Sequence, residues 1–153
     1  MISMHWAAFD ELSRDELYEI LQVRQEVFSV EQNCPYLDAD GLDQGALHLI
    51  ARGKGLPLGQ LVAYLRLLPP GCRFPEASIG RLLTVKAARG SGIGRAIMLE
   101  ALARLKTLYP HARIRISAQQ HLEPFYRGLG FAAASEVYEE DGIPHLEMVK
   151  ALG

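Results

Sequence analysis

Cysteine is scarce in this chain: 153 residues include two, Cys34 and Cys72. Their spacing matches no metal-ligand pattern, and two thiols make no disulfide framework, so no metal and a reducing, cytoplasmic setting are the expectation. Charge of one sign is also lacking. The chain has 16 Lys and Arg against 18 Asp and Glu, a net charge of −2. That gives no field to gather nucleic acid or an anionic membrane. No apolar run approaches the roughly 20 residues of a membrane helix. The N-terminus, Met1 to Trp6, lacks the basic-then-apolar order of a secretory signal. There is no internal repeat, low-complexity tract or linker. What remains is an ordinary soluble composition, 49% apolar and 22% charged, sized for one domain over residues 1–153 with a single sizeable core.

The most informative stretch is Arg89-Gly90-Ser91-Gly92-Ile93-Gly94, followed by Arg95. Before it, Ile79 to Val85 reads as a buried strand. After it, Ile93, Ile97, Met98, Ala101, Leu102, Leu105 and Leu108 recur at three- and four-residue steps, the apolar stripe of a helix. A glycine loop between a strand and a helix start makes an anion site. The first helical N–H groups lack partners, the helix dipole is positive there, and glycine lets the backbone approach a phosphate. Arg89 and Arg95 add positive charge at the two ends of the loop. Two nucleotide readings weaken. A P-loop needs Lys then Ser or Thr after its last Gly, where Arg95-Ala96 stands. A Rossmann loop needs a third Gly where Arg95 or Ile97 stands, and an acidic residue where the chain reads Arg113 to Ser117.

In chain order, His5 to Phe9 is an expected first strand. Ser13-Arg-Asp-Glu16 is an expected capping box opening a helix whose apolar face runs through Leu17, Ile20, Leu21, Val27 and Phe28. Arg24, beside that face, is expected to lay its stem on the core and keep its head in water. Residues 31–43 hold four carboxylates, either a solvated acidic loop or a rim that attracts a cationic amine. Strands follow at Ala46 to Arg52 and Leu61 to Leu68, with a turn at Gly53-Lys54-Gly55. Glu100 and Arg104 are spaced as an i,i+4 pair on the outer face of the long helix, which Pro110 stops. The strand Ile114 to Ala118 follows this helix, so it should lie parallel to Ile79–Val85 in one sheet by a right-handed crossover. Pro124 suits the start of a short helix containing Phe125 and Tyr126. Phe131 to Tyr138 and His145 to Val149 read as strands around the Asp141-Gly142 turn. The fold class is therefore α+β, a mixed sheet flanked by helices.

Arg89-x-x-Gly92-x-Gly94 resembles the (Gln/Arg)-x-x-Gly-x-(Gly/Ala) signature of the GNAT acyltransferases, and Phe125-Tyr126-x-x-x-Gly130-Phe131 resembles their second signature. Glu31 to Tyr36, Ile79-Gly80-Arg81, Ala118 to Leu122 and Glu136 to His145 are similar to the ElaA-like branch, so the resemblance spans nearly the whole chain. It implies the GNAT fold and acetyl transfer from acetyl-CoA, as co-substrate, to an amine of a small molecule or protein. It also implies backbone contacts from Leu83, Thr84 and Val85 to the pantetheine arm, and a pyrophosphate on Arg89, Gly90, Ser91, Gly92, Ile93, Gly94 and Arg95. Gln119 stands where many relatives carry a pantetheine-binding Asn. Tyr126 is implied as the acid that protonates the CoA thiolate.

The base is not implied. The start of the strand at Ser78, with Glu76 before it, lacks the Glu of some relatives. His121 is the candidate, because an imidazole is the side chain suited to moving protons near neutral pH, and Glu31, His48, Glu139 and His145 are others. Cys34 has no His neighbour by spacing and reads as an inert thiol. A CoA-binding sensor without catalysis is the alternative from another class. Acceptor, acyl length and oligomeric state stay open, a homodimer among the options.

Overall fold

The computed structural model describes residues 2–53 and 59–153; Lys54 and Gly55 of the expected turn lie outside the described residues. β1 (Ile2–Ala8), β2 (Leu47–Gly53), β3 (Leu61–Leu68) and β4 (Ser78–Thr84) form one antiparallel sheet in chain order. β1 starts earlier than expected and excludes Phe9, because Glu11 Oε1 accepts the Ala8 N–H at 2.8 Å and turns the chain. α1 (Arg14–Arg24) opens with the expected box: the Glu16 N–H donates to Ser13 Oγ, and the Ser13 N–H to Glu16 Oε1. After Arg24 the helix widens into a π-helical turn, Gln25–Glu31, which keeps both Ile20 and Val27 in the core.

Two bulges sort the side chains of the first sheet. Leu61 opposes Arg52 while Ala63 opposes Ala51, so Val62 is extra. Tyr64 opposes Leu83 while Arg66 opposes Gly80, so Arg81 and Leu82 share one partner position, with Arg81 at φ 54°. A bulge flips the alternation beyond it. Ile79 therefore joins the larger core beneath α2 (Ile93–Leu108), and Leu83 joins the smaller one beneath α1. The expected Glu100–Arg104 pair gives way to Trp6: its indole N–H donates to Glu100, and Arg104 lies over its ring.

β5 (Arg113–Gln119), α3 (Glu123–Arg127), β6 (Ala132–Ala133), β7 (Tyr138–Glu140) and β8 (Ile143–Ala151) complete the chain. β8 pairs antiparallel with β5, β6 and β7 in a second sheet. The expected strand over Phe131–Tyr138 is two short ones, because Ser135 Oγ accepts the Glu147 N–H and the chain bends there. Asp141 and Gly142 both have positive φ, the two-residue turn their sequence calls for. The expected single sheet is also two. β4 and β5 run parallel, but they meet at one bridge, Ala77 to Ile114, with the Arg115 N–H on the Ala77 carbonyl at 3.1 Å. Beyond it, no backbone hydrogen bond joins them among the described residues. The bulge bends β4, and the strands part. The larger core continues under both sheets, through Ile97, Met98, Ile114 and Met148.

Candidate active site

Where the strands part, the chain leaves β4 at Thr84 and reaches α2 through the glycine loop. Gly90 and Gly92 have φ of 81° and 82°, and nothing lies within 4 Å of where either Cβ would be. Gly92 is the N-cap and brings no side chain to the first helical N–H groups, which therefore remain available to an anion. A cavity opens there between Thr84, the loop glycines, Arg89, Arg95 and Phe125. Arg89 reaches back, its Nε donating to the Thr84 carbonyl and its Nη2 to Glu31 at 2.6 Å. Ser91 Oγ donates to the Ala88 carbonyl. The side chains of Leu83 and Ile93 are buried, so these two offer a ligand backbone groups alone. An open cradle that a Cβ would fill, free N–H groups and two arginines fit the diphosphate of a CoA.

A second cleft, of about 130 Å³, lies next along β4, walled by Ser78 to Leu82, by β5 and β8, and by the loop around Cys34 to Asp38. Phe125 lines the first cavity and its neighbour Tyr126 the second. Tyr126 is 9% exposed and packs edge-on against Phe125 and Phe131, with ring centroids at 5.2 and 5.8 Å. Burial pushes its phenol up to about 12, so the hydroxyl keeps its proton. Gln119 also faces this cleft and donates to Gln32 Oε1 at 3.2 Å. The Cys34 thiol donates to the carbonyls of Gln32 and Asp141.

The base candidates separate. His121 is exposed on a 3₁₀ turn, Gln120–Leu122, and lines neither cleft. Glu31 is paired with Arg89, and Glu139 points away on β7. His48 is buried between the Tyr64 hydroxyl at 2.6 Å and the Asp43 carbonyl at 2.9 Å. Glu76 is held by Arg115, which Glu147 also grips. His145 lines the cleft.

The acidic loop differs from both expectations. Asp38 accepts from Arg24 Nε at 2.8 Å and lies 2.8 Å from Arg81 Nε. Asp40 takes Arg66 bidentately. Asp43 Oδ1 accepts from Arg24 Nη1 at 2.7 Å and Arg66 Nη1 at 2.9 Å. Arg24 is therefore fully buried, not solvated at its head. Burial by itself would raise the carboxyls of Asp40 and Asp43; the guanidiniums of Arg66 and Arg24 overrule it and hold both below the ordinary range. Three aspartates facing three arginines leave no charge to attract a cationic amine. Sequence reasoning missed Arg66, Arg73, Arg81, Ser117 and Glu140 as cleft residues. The signal for one was present: Arg66 is the lone charge in the apolar run of β3.

Among the described residues, no helix is long and apolar enough to cross a membrane. A family model for the acetyltransferase (GNAT) domain matches residues 20–152. A UPF0039 protein of Synechocystis sp. is 45% identical over 97% of this chain and 94% of its own length. The crystal structure of an acyl-CoA N-acyltransferase from Pseudomonas aeruginosa superposes at a TM-score of 0.88, with 42% identity over 97% of this chain and 99% of that one. Escherichia coli ElaA superposes at 0.89, with 38% identity over 98% of this chain and 99% of its own. With the glycine loop, the Phe-Tyr helix and the parted strands all in place, this chain belongs to the GNAT acetyltransferases, in the branch that includes ElaA.

Proposed function

We propose that the protein moves an acetyl group from acetyl-CoA to an amine. The observation that carries this reading is the succession of two sites along β4: an anion cradle just past its end and a neutral, buried tyrosine in the next cleft. Residues 89–95 would hold the diphosphate. The end of β4 at Leu83 and Thr84, with Val85 just after it, would accompany the pantetheine arm as an added strand does, and Gln119 would meet it in the second cleft. Acetyl-CoA supplies the activated carbonyl. Holding it still turns a chance encounter into a positioned attack. The small cleft suits a short acyl group.

Tyr126 does what a buried phenol can do. Its Oη keeps a proton at neutral pH and is the group in the cleft that gives one to the departing thiolate. His121 lies outside both clefts, and no proton step is assigned to it.

The test is calorimetry with acetyl-CoA. Gly94 sits in the first turn of α2, and a Cβ there would make ordinary contacts with Thr84 and Phe125, so Gly94→Asp tests charge without strain. Affinity should fall at least about tenfold, roughly 1.4 kcal/mol. Tyr126→Phe should keep acetyl-CoA affinity and lower turnover by about a hundredfold. Unchanged turnover would remove Tyr126 from the chemistry; no acetyl-CoA binding by the wild type would remove the donor.

A further inference from the structure

The transfer proposed above leaves one proton without a destination. An alkylamine at neutral pH is an ammonium ion, and its nitrogen has no lone pair until it loses a proton. We infer that His145 takes this proton at Nε2, with Glu140 as its positioning residue; the inference rests on the acetyltransferase reading.

The side-chain geometry selects the atom. His145 is 6% exposed and stands on the cleft face of β8, level with Gln119 on β5 and Tyr138 on β7. Its Nδ1 lies 2.7 Å from the Ile143 carbonyl. A carbonyl only accepts, so Nδ1 carries the hydrogen and the lone pair is on Nε2. Glu140 Oε2 is 3.7 Å from that atom. This is too long for a hydrogen bond, and it sets a carboxylate beside the nitrogen that takes the proton. Glu140 is itself fixed: Arg73 pairs with it, and Ser117 Oγ reaches its Oε1 at 3.2 Å. Ser117 also bonds the Tyr138 hydroxyl at 2.5 Å, and the Tyr138 ring stacks on the imidazole.

Other candidates fail on geometry. Both ring nitrogens of His48 have partners. His5 pairs with Glu16 away from the cleft, and His111 and His121 are exposed and outside it. Asp38 is held by two arginines, and the Cys34 thiol by two carbonyls.

The protons balance. One leaves the ammonium for His145 Nε2, and the freed nitrogen forms the C–N bond as the C–S bond breaks. The sulfur takes the Tyr126 proton. The second proton on nitrogen returns, through water, to the Tyr126 oxygen. His145 then releases its proton to solvent, so one amide, one thiol and one proton are the net products.

Two probe nucleophiles separate this role from a structural one. Butylamine arrives charged and needs the base; methoxyamine is weakly basic and arrives neutral. His145→Asn removes the base while keeping an N–H for the Ile143 carbonyl, and Glu140→Gln removes the carboxylate alone. With acetyl-CoA as donor at pH 7, His145→Asn should slow transfer to butylamine by about a hundredfold and leave transfer to methoxyamine within about threefold. Glu140→Gln should give the same pattern with a smaller loss, about tenfold. Equal losses on both nucleophiles, or none on either, would overturn the assignment. So would a wild type that binds acetyl-CoA but acetylates neither probe. A wild type that does not bind acetyl-CoA, read by calorimetry, is a failure of the donor reading instead.

Discussion

Asp43 shows how far a single side chain can matter here. Its carboxylate is shared by two buried guanidiniums, and its backbone carbonyl accepts the His48 Nε2–H. Asp43→Asn would leave both arginines short of countercharge in a buried place, and should cost about 3 kcal/mol. Urea unfolding should show it as a lower midpoint with an unchanged slope. His48 adds a pH dependence. Burial, the largest cause, lowers its pKa below the ordinary 6.5, and the Tyr64 hydroxyl donates to its free nitrogen. The native ring is neutral, so its stability contribution is complete above pH 6.5 and is lost as pH falls from there through the folded value. The depressed carboxyls of Asp40 and Asp43 act later, keeping their contribution above an ordinary 3.8 and losing it as pH falls further. Thermal midpoints measured from pH 8 to pH 3 should fall in two stages, and a single stage below pH 4 would remove His48 from the account. Little of this was legible in the sequence. The carboxylates of residues 31–43 are visible there, but their arginine partners come from α1, β3 and β4. Charge counted along a segment does not say what it faces across the fold.

At the scale of elements, β4, the glycine loop and α2 were legible because each carries a local mark: a short apolar run, closely spaced glycines, and apolar steps of three and four. The second signature was legible for the same reason, through Pro124 and the glycines that follow Tyr126. The bend at Ser135 was not. A hydroxyl accepting one ladder N–H interrupts a strand without changing its apolar pattern. The bulge at Arg81 was equally hidden, since a non-glycine residue at φ 54° carries no compositional mark. Gly92 does carry one. Gly92→Ala must hold a Cβ in the left-handed region, at a cost of about 1–2 kcal/mol, readable as a lower urea midpoint. Nothing lies within 4 Å of the new methyl, so a much larger loss would mean that packing, not backbone conformation, sets the position.

At the scale of the molecule, the described residues form two sheets joined by one bridge and a shared core under α2. The crossover was legible as a parallel relation of β4 and β5; their parting was not, because it depends on how a bulge bends one strand. On the proposed reading, acetyl-CoA touches groups from both sheets. At about a hundredfold excess over its dissociation constant it should add roughly 2.7 kcal/mol to the folded state. A thermal shift should therefore appear with the wild type and shrink with Gly94→Asp.

The division also has a direction in time. The first sheet is complete in sequence at Thr84, and the second begins at Arg113. A ribosome, adding about 5–20 residues per second, delivers every strand of the first sheet before any of the second. Neither half walls the second cleft by itself, so the nascent chain carries a finished first sheet beside an open cleft until β8 arrives.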